Sequence, residues 1–217
     1  MPSSANNSYH HGDLRQSLID AAIALIGEEG IRDLSLRQVA RRVGVSHNAP
    51  YRHFADKEAL LAAVAEQGFE SLRVAMETAR QGIPFNSLER LEAIGIAYVH
   101  FALAHPFHYR LMFGDYRYNF SKHPALAAVA NRSFMVLVNT IKEGQSAGVL
   151  RSDDPLNMAR VAWSLVHGQS MLALDHKLQI EQREEFTQFL RFSSQMLIQG
   201  LAGNSDPKIR FESASAG

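Results

Sequence analysis

Residues 35–54, SLRQVARRVGVSHNAPYRHF, combine hydrogen-bonding side chains with the signals of two short helices. Ser35 is suited to cap the first helix and Ser46 the second, and Gly44 lies between them, where a tight turn needs a positive φ. This pattern is typical of a helix-turn-helix, in which the second helix enters the major groove of DNA and the first crosses the backbone. The segment therefore predicts recognition of double-stranded DNA.

Small and polar residues stand at the leading end of the second predicted helix, as close approach to base edges requires. An asparagine can pair with adenine through two hydrogen bonds, and an alanine methyl can contact the methyl group of thymine. The expected base-reading residues are His47, Asn48 and Ala49. Donors suited to DNA phosphates surround them, namely Arg37, Ser46, Tyr51, Arg52, His53 and Lys57. The alternative is an ordinary three-helix packing unit with a solvated basic face.

The overall charge at first argues against a nucleic-acid partner. The 217-residue chain holds 22 Lys and Arg and 22 Asp and Glu, so its net charge is zero, whereas phosphate binding depends largely on cationic side chains. Residues 35–57, however, carry five basic side chains and one acidic one, a net charge of +4 that the rest of the chain balances with −4. The positive charge is therefore concentrated where a DNA-binding surface would need it.

Composition excludes several other classes of protein. The chain has no Cys, so it offers no disulfide framework, no thiolate zinc site and no cysteine nucleophile. No unbroken apolar run reaches the roughly eighteen residues that span a bilayer, and MPSSANNSYHHGD lacks the basic and apolar regions of a signal peptide. We therefore expect a cytoplasmic protein with no membrane partner.

Apolar residues recur at intervals of three and four along most of the chain, which favours helices throughout. We expect an all-α fold of about nine helices, with Asp13 as the first N-cap and a domain boundary at residues 80–86. The predicted regions are a disordered tail at 1–12, a three-helix DNA-binding domain at 13–80, a larger helical ligand-binding and dimerisation domain at 87–203, and a disordered tail at 204–217.

The run HGDLRQSLIDAAIALIGEEGIRDLSLRQVARRVGVSHNAPYRHFADKEALLAAV, from residue 11 to about 64, resembles the N-terminal DNA-binding domain of TetR-family transcriptional regulators. The matching features, in order, are the helix ending in EEG, the S-L-R-x-V-A run, the G-V-S turn, the Y-x-H-F exit and the D-K-E start of the next helix. The resemblance implies that residues 46–53 form the reading helix. It also implies that Tyr51, His53 and Lys57 hold phosphates and that Arg37 contacts the DNA backbone.

This chain departs from the family pattern at Pro50, where the family often has Leu. Counted from a cap at Ser46, the proline falls in the first turn or just past it, where loss of its N–H is tolerable. We therefore keep Pro50 among the predicted DNA-binding residues, in a reading helix that is stiffer at its leading end.

A second resemblance lies in the C-terminal half, where Trp163, His167 and Gly168 form W-x-x-x-H-G, which is similar to the signature of the WHG domain of one TetR subgroup. The spacing of four places the indole and the imidazole on one helix face, and Gly168 would let another backbone or a ligand approach closely. Nearby aromatic and thioether side chains predict an apolar cavity for a small ligand. The predicted ligand-binding residues are Phe101, Phe107, Met112, Phe113, Phe134, Trp163, His167 and Met171. The alternative for most of them is core packing.

The last two predicted helices are apolar on more than one side, so each must be buried on more than one side. Because one domain cannot wrap both, we expect them to pack against a second copy of the chain across a twofold axis. The predicted interface residues are Val161, Leu165, Leu172, Phe189, Phe192 and Met196. The family resemblance implies the same dimer, which would present two reading helices about one DNA turn apart or a multiple of it. The alternative is a monomer with these helices in its own core.

Signals of catalysis are lacking. The sequence has no G-x-S-x-G and no Gly-rich phosphate loop, and His105 and His108 would need further ligands from elsewhere to bind zinc. We expect no enzyme activity, no cofactor and no metal site. The predicted function is that of a homodimeric repressor that binds a palindromic operator and is released by a small, mainly apolar molecule. The alternative is a helical small-molecule-binding protein or enzyme in which the N-terminal unit is structural.

Overall fold

The computed structural model of the chain describes residues 11–114, 116, 118–180 and 182–202. The described residues form eight α-helices and one 3₁₀-helix, which confirms an all-α fold of about nine helical segments. The α-helices are α1 (His11–Glu29), α2 (Leu36–Val43), α3 (Lys57–Ala79), α4 (Glu89–Ala104), α5 (Pro106–Phe113), α6 (Pro124–Ser146), α7 (Pro155–Leu174) and α8 (Arg183–Leu201), and the 3₁₀-helix is Pro50–Arg52. In this part of the chain, β-pairing is confined to an isolated antiparallel bridge between Leu150 and Ala202.

Helix starts follow the capping residues in most places. Asp56 Oδ1 accepts a hydrogen bond from the Ala59 N–H (2.8 Å) ahead of α3, and Asp154 Oδ1 accepts one from the Leu156 N–H (3.1 Å) ahead of α7. Asp13 is different, because α1 begins two residues before it, at His11, so the prediction that Asp13 is the N-cap is wrong. An acidic residue is favoured both at a cap and in the first turn of a helix, so residue type alone did not separate the two positions.

The predicted tails fall largely outside the described residues. Residues 1–10 and 203–217 are not described, whereas residues 11 and 12, which belong to the predicted N-terminal tail, are part of α1. The end of the predicted second domain, residue 203, also lies outside the described part.

Within the described residues the chain divides into two compact units. The first, unit 1, comprises the described residues up to Ser71 and from Ala104 to Ser133, and the second, unit 2, comprises Leu72–Leu103 and the described residues from Phe134 onwards. Unit 1 therefore combines α1, α2, the 3₁₀-helix and most of α3 with α5 and the first part of α6. The domain boundary at residues 80–86 stays a prediction; it lies just past the end of α3, whereas the compact units divide within that helix.

The core of unit 1 is built from the apolar stripe of α1 and the first turns of α3. Leu18, Ala22 and Leu25 are at most 3% exposed, and Leu60 and Leu61 are fully buried. Burying each leucine stabilises the fold by about 1.5–3 kcal/mol. This core fixes α2 and the segment after it against a rigid base.

Two glycines in unit 1 allow side chains of α5 to come close to neighbouring helices. A Cβ added at Gly27 would lie 2.6 Å from Cε2 of Phe107, and one added at Gly68 would lie 2.5 Å from Sδ of Met112. Met112 is buried, whereas Phe107 is 45% exposed. Helix α5 is thus seated on α1 and α3 at places where no larger residue would fit without movement of the partner.

Unit 2 contains a charged cluster that fixes the turn after α3. Arg90 donates to the carbonyl oxygen of Ile83 (2.7 Å) and to Oε2 of Glu143 (3.0 Å), and Arg80 donates to Thr140 Oγ1 (3.1 Å) and to Glu143 (3.3 Å). Two guanidinium groups thus share one carboxylate, and both arginine side chains are largely buried. The cluster ties α4 and α6 to the turn at the end of α3.

Helix α6 is, by length and composition, apolar enough to cross a membrane, and 44% of its most apolar window is buried. The same length and composition are found in core helices of proteins that do not enter membranes. Its buried residues include two polar ones, Ser133 and Thr140, and Thr140 donates to the carbonyl oxygen of Val136 (2.9 Å).

Candidate nucleic-acid interface

Helix α2 is delimited by local hydrogen bonds that the sequence specifies. Ser35 Oγ accepts a hydrogen bond from the Gln38 N–H (3.3 Å) at the start of α2. At its end, Gly44 has a φ of +79° and donates its N–H to the carbonyl oxygen of Ala40 (3.0 Å). A left-handed glycine is a common helix terminator because it has no Cβ to clash. The predicted cap and the predicted turn glycine are both confirmed.

The predicted second helix, from Ser46 to His53, is not an α-helix. A turn closes between Ser46 and Ala49, with the Ala49 N–H bonded to the Ser46 carbonyl oxygen (2.9 Å), and the 3₁₀-helix follows at Pro50–Arg52. Counted from a cap at Ser46, residue 50 would supply the first N–H of the α-helical ladder, and proline has none. The prediction that Ser46 caps an α-helix is therefore wrong, because its carbonyl accepts from the residue three positions ahead.

Most of the predicted DNA-binding side chains lie at the surface of this segment. The exposed ones are Arg37, Ser46, His47, Asn48, Tyr51 and Arg52, and the half-buried ones are Ala49, His53 and Lys57. Pro50 is buried. A buried residue offers no surface to a partner, so Pro50 is expected only to fix the backbone of the segment. The exposed residues present the hydrogen-bonding side chains. The predicted residues lie between positions 37 and 57, and their role in DNA binding stays a prediction.

Arg42, on the last turn of α2, is engaged by a carboxylate of α1. Its Nη1 donates to Oε1 of Glu28 (3.0 Å) and its Nη2 donates to Oε2 of the same residue, a bidentate ion pair. The hydrogen bond to Arg42 holds the pKa of Glu28 below its usual range, and the same bond raises the pKa of Arg42. The net charge of +4 over residues 35–57 therefore overstates the charge that this surface offers to phosphates.

Lys57, at the start of α3, is also partly engaged. Its Nζ donates to the carbonyl oxygen of Arg32 (2.9 Å) in the connection between α1 and α2. A lysine ammonium has three N–H donors, so this bond holds the side chain in place and leaves donors for a phosphate. Its predicted role in phosphate binding stays a prediction.

Sequence analysis missed a cation next to residues 46–54, the predicted reading segment. The guanidinium carbon of Arg15, on α1, lies 5.4 Å from the centroid of the Phe54 ring, a distance typical of a cation–π contact. The two residues are far apart in sequence, so no local pattern signals their contact. The Y-x-H-F motif includes Phe54, but the sequence did not predict that Arg15 contacts its ring.

The predicted ligand-binding residues are divided between the two units. Phe107, Met112 and Phe113 belong to unit 1, whereas Phe101, Phe134, Trp163, His167 and Met171 belong to unit 2. In unit 1, the Phe113 ring packs edge-on against Phe69 with the ring centroids 5.2 Å apart. The members in each unit take part in packing, and their role in ligand binding stays a prediction.

The tryptophan and histidine of the W-x-x-x-H-G motif are joined through a buried tyrosine. Trp163 Nε1 donates to the hydroxyl oxygen of Tyr98 (3.0 Å), and that hydroxyl lies 3.3 Å from Nδ1 of His167. The hydroxyl donates to Nδ1 in the tautomer that carries its proton on Nε2, and it accepts from Nδ1 in the other tautomer. Burial lowers the pKa of His167 and favours its neutral form over the imidazolium. A Cβ added at Gly168, in contrast, would meet nothing within 4 Å, so no group in the described part of unit 2 uses the close approach that this glycine allows.

Helices α7 and α8 each keep an apolar stripe at the surface. Val161 and Leu172 of α7 are 58% and 45% exposed, and Phe192 and Met196 of α8 are 60% and 50% exposed. The other predicted interface residues, Leu165 and Phe189, are half-buried. Four of the six predicted interface residues are thus exposed in the single chain, and their role in a dimer interface stays a prediction.

Among the described residues, no group of three or more His, Asp or Glu side chains is placed to hold a metal ion. The rings of His105 and His108 lie 6.0 Å apart, edge to face. Burial lowers the pKa of His108, with a smaller contribution from His105.

The fold and the surface segment together define a helical protein with an N-terminal helix-turn-helix. Residues 18–64 match the family model described as bacterial regulatory proteins, tetR family, and residues 91–192 match that of the tetracyclin repressor-like C-terminal domain. The chain belongs to the TetR family of transcriptional regulators. The W-x-x-x-H-G motif falls inside the second match.

Two curated relatives agree with this assignment. The HTH-type transcriptional regulator BetI of Serratia proteamaculans (strain 568) is 38% identical over 81 residues, which are 37% of this chain and 41% of that protein. The Escherichia coli (strain K12 / DH10B) BetI is 40% identical over 81 residues, 37% of this chain and 42% of that protein. The chain thus spans about two fifths of the length of the curated relatives that it matches.

Solved structures match over nearly the whole chain. A protein of unknown function from Rhodococcus sp. RHA1 is 36% identical with a TM-score of 0.79, covering 90% of this chain and 99% of that one. A bacterial regulatory protein of the tetR family from Rhodococcus RHA1 is 20% identical with a TM-score of 0.67, covering 88% of this chain and 98% of that one. At that identity the second likeness supports the fold alone.

Proposed function

We propose that this protein is a cytoplasmic, DNA-binding transcriptional repressor that binds a palindromic operator as a homodimer. The observation that carries the proposal is the exposed segment after α2, which presents Asn48, Tyr51 and Arg52 on a backbone fixed by Gly44 and Pro50. An exposed asparagine at the leading end suits a base edge, and the tyrosine hydroxyl and guanidinium suit phosphates. Membership in the TetR family supports the same use of this segment.

A homodimer is supported by the apolar stripes of α7 and α8. Large exposed apolar side chains that follow two neighbouring helices mark an interaction surface, and a twofold axis makes such a surface self-complementary. The test is the oligomeric state in sedimentation velocity. Phe192→Glu should shift the dimer towards monomer, whereas Phe120→Glu, at an exposed phenylalanine of unit 1, should not. A wild-type protein that sediments as a monomer at micromolar concentration would overturn this part of the proposal.

The DNA-binding proposal is tested by fluorescence anisotropy on DNA that flanks the coding region, against random DNA of equal length. Asn48→Ala should relax preference at one operator position, whereas Arg37→Ala should weaken binding to all sequences alike. Arg160→Ala, at an exposed arginine of α7 whose described partner is the neutral Asn157, is the matched control and should bind as the wild type does. Equal affinity for operator and random DNA at moderate salt would refute the proposal. Unchanged binding by a variant with Tyr51, His53 and Lys57 replaced by Ala would favour the alternative, a structural N-terminal unit.

Release of the operator by a small, mainly apolar molecule is supported by an open groove in unit 2. The groove has a volume of about 820 Å³, which is within the range of ligand sites. Its apolar lining residues are Leu103, Ala173, Leu178, Ile180 and Phe186, and its polar ones are His176, Gln179, Gln182 and Arg183. A ligand that binds the DNA-free conformation more tightly would shift the population away from the operator-bound form.

The groove and the predicted cavity around Trp163 can be distinguished with the dye 1-anilinonaphthalene-8-sulfonate as a probe. If the groove is the site, Phe186→Ala should weaken dye binding and the release of operator that the dye causes, whereas Trp163→Phe should leave both unchanged. The opposite pattern would assign the site to the residues around Trp163. Saturating dye binding with no change in operator affinity would refute effector control through either site.

A further inference from the structure

Arg15 lies on the first full turns of α1, outside the segment that sequence analysis assigned to DNA binding. Its side chain is exposed, and its guanidinium carbon lies 5.4 Å from the centroid of the Phe54 ring. Phe54 is 3% exposed, so the arginine lies over a ring that the core of unit 1 holds in place. Such a contact orients the guanidinium without satisfying any of its five N–H donors.

The ring under Arg15 belongs to the end of the reading segment. The Phe54 N–H bonds to the carbonyl oxygen of Pro50 (2.9 Å), which fixes the ring relative to the 3₁₀-helix. The imidazole of His53 lies 6.4 Å from the same ring. These two ring distances laid end to end place the Arg15 guanidinium within about 12 Å of His53. A distance of up to about 12 Å is covered by about three nucleotides of one DNA strand, at about 3.4 Å of axial rise per nucleotide.

The charges around Arg15 differ from those around Arg42. Arg42 is paired with Glu28 in a bidentate contact, which removes it from the cations that a phosphate could attract. In the described part of the chain, the contact found for Arg15 is the ring of Phe54, and no carboxylate pairs with it. A cation over an aromatic ring keeps its full charge, and the Arg15 side chain is exposed to solvent.

We propose that Arg15 is a DNA-phosphate-binding residue of α1, held in place by its stacking on Phe54 at the end of the reading segment. The proposal rests on the proposed DNA-binding function and adds a second helix to the surface that contacts the backbone. A phosphate takes two parallel N–H bonds from a guanidinium, and the stack leaves those donors available. The contact is independent of base sequence, so it contributes to affinity and leaves specificity unchanged.

The test is the salt dependence of binding by Arg15→Gln, an exposed substitution that removes the charge and keeps a polar side chain. Each phosphate neutralised adds about 0.9 to the slope of log affinity against log salt, so loss of Arg15 from both subunits of a dimer should lower the slope by about 1.8. Between 50 and 200 mM salt, the affinity of the variant should therefore fall about 12-fold less than that of the wild type. The loss at low salt should be equal on operator and random DNA.

Two further variants separate charge from stacking. Arg15→Lys should keep the wild-type slope but bind more weakly, because an ammonium lacks the planar fork that stacks on the ring and pairs with a phosphate. Arg160→Gln, at an exposed arginine of α7, should leave both slope and affinity unchanged. Circular dichroism melting of each variant checks that the helices are intact.

The outcomes are distinct from those that test the proposed function. If the wild type binds its operator and Arg15→Gln keeps both the slope and the affinity of the wild type, the assignment of Arg15 is overturned while the proposed function stands. If Arg15→Gln weakens binding to one operator sequence and spares random DNA, the residue reads bases and the phosphate assignment is overturned. If the wild type itself does not distinguish its operator from random DNA, the proposed function fails and the proposal fails with it.

Discussion

Replacing Glu28 with glutamine tests whether α1 controls how much charge the surface offers to DNA. The carboxylate of Glu28 holds Arg42 through two hydrogen bonds. Glutamine keeps the size and loses the charge, so the guanidinium is released from a full ion pair. Since α2 is the helix that crosses the DNA backbone in this class of motif, the released Arg42 becomes a further cation for phosphates.

The size of the effect follows from the two-subunit arrangement. One extra phosphate contact in each subunit should raise the slope of log affinity against log salt by about 1.8. Between 50 and 200 mM salt, binding by Glu28→Gln should therefore fall about 12-fold more than binding by the wild type. The gain in affinity at low salt should be the same on operator and random DNA, so the ratio of the two affinities should not change.

Glu29→Gln is the matched control, because it removes the same charge from the next residue. Glu29 accepts a hydrogen bond from Nε2 of the neutral Gln38 (2.8 Å), and it acts on Arg42 only through its charge, so its loss breaks no ion pair. Anisotropy titrations of both variants over a series of salt concentrations give the slopes directly. Equal slopes for Glu28→Gln and Glu29→Gln would refute the reasoning, since any change would then come from overall charge and not from release of Arg42.

Three further predictions concern the stability of the two units. Tyr98→Phe removes the hydroxyl that is hydrogen-bonded to both Trp163 and His167. Loss of these two hydrogen bonds costs about 2 kcal/mol, which should lower the Tm by about 4–8 °C in a calorimetric scan. Burial lowers the pKa of His167 in the folded protein. Its contribution to stability is therefore complete above the unfolded pKa of about 6.5 and declines as the pH falls through that value. The decrease in Tm between pH 7.5 and 5.5 should be smaller for His167→Gln than for the wild type. Gly68→Ala places a methyl group against the buried Met112. The cost of overpacking, about 1–3 kcal/mol, exceeds the gain of about 1 kcal/mol in helix propensity. This variant should therefore have a Tm a few degrees lower than the wild type.

Each of these has a control elsewhere in the chain. Tyr118→Phe removes one hydrogen bond, from the hydroxyl to the carbonyl oxygen of Leu61 (3.3 Å), where Tyr98→Phe removes two, so it should lower the Tm by less. His100→Gln, at an exposed histidine of α4, removes a histidine without removing a buried side chain and is the control for His167→Gln. Gly27→Ala meets the ring of Phe107, which is 45% exposed and can move outward, so this variant should be at least as stable as the wild type. A reversed order within any of these pairs would contradict the packing and burial on which the predictions depend.

The helices and their ends were largely determined by local sequence. A cap such as Ser35 or Asp56 and a terminating glycine such as Gly44 act through hydrogen bonds over three or four residues, so the residue types indicate them directly. Pro50 shows where this reasoning needed one more step. Its missing N–H was recognised, but the bond that it removes is the first of the helical ladder, and the segment closes as a turn and a 3₁₀-helix instead.

The pairing of side chains between helices was decided by the tertiary structure alone. Glu28 and Arg42 are fourteen positions apart and Tyr98 and His167 are sixty-nine positions apart. No periodicity or capping rule relates such positions, because their distance depends on how whole helices pack. The sequence therefore predicted DNA-binding chemistry for α2 and the segment after it. The packing decided which of its cations are already engaged, and it placed Arg15 of α1 beside them.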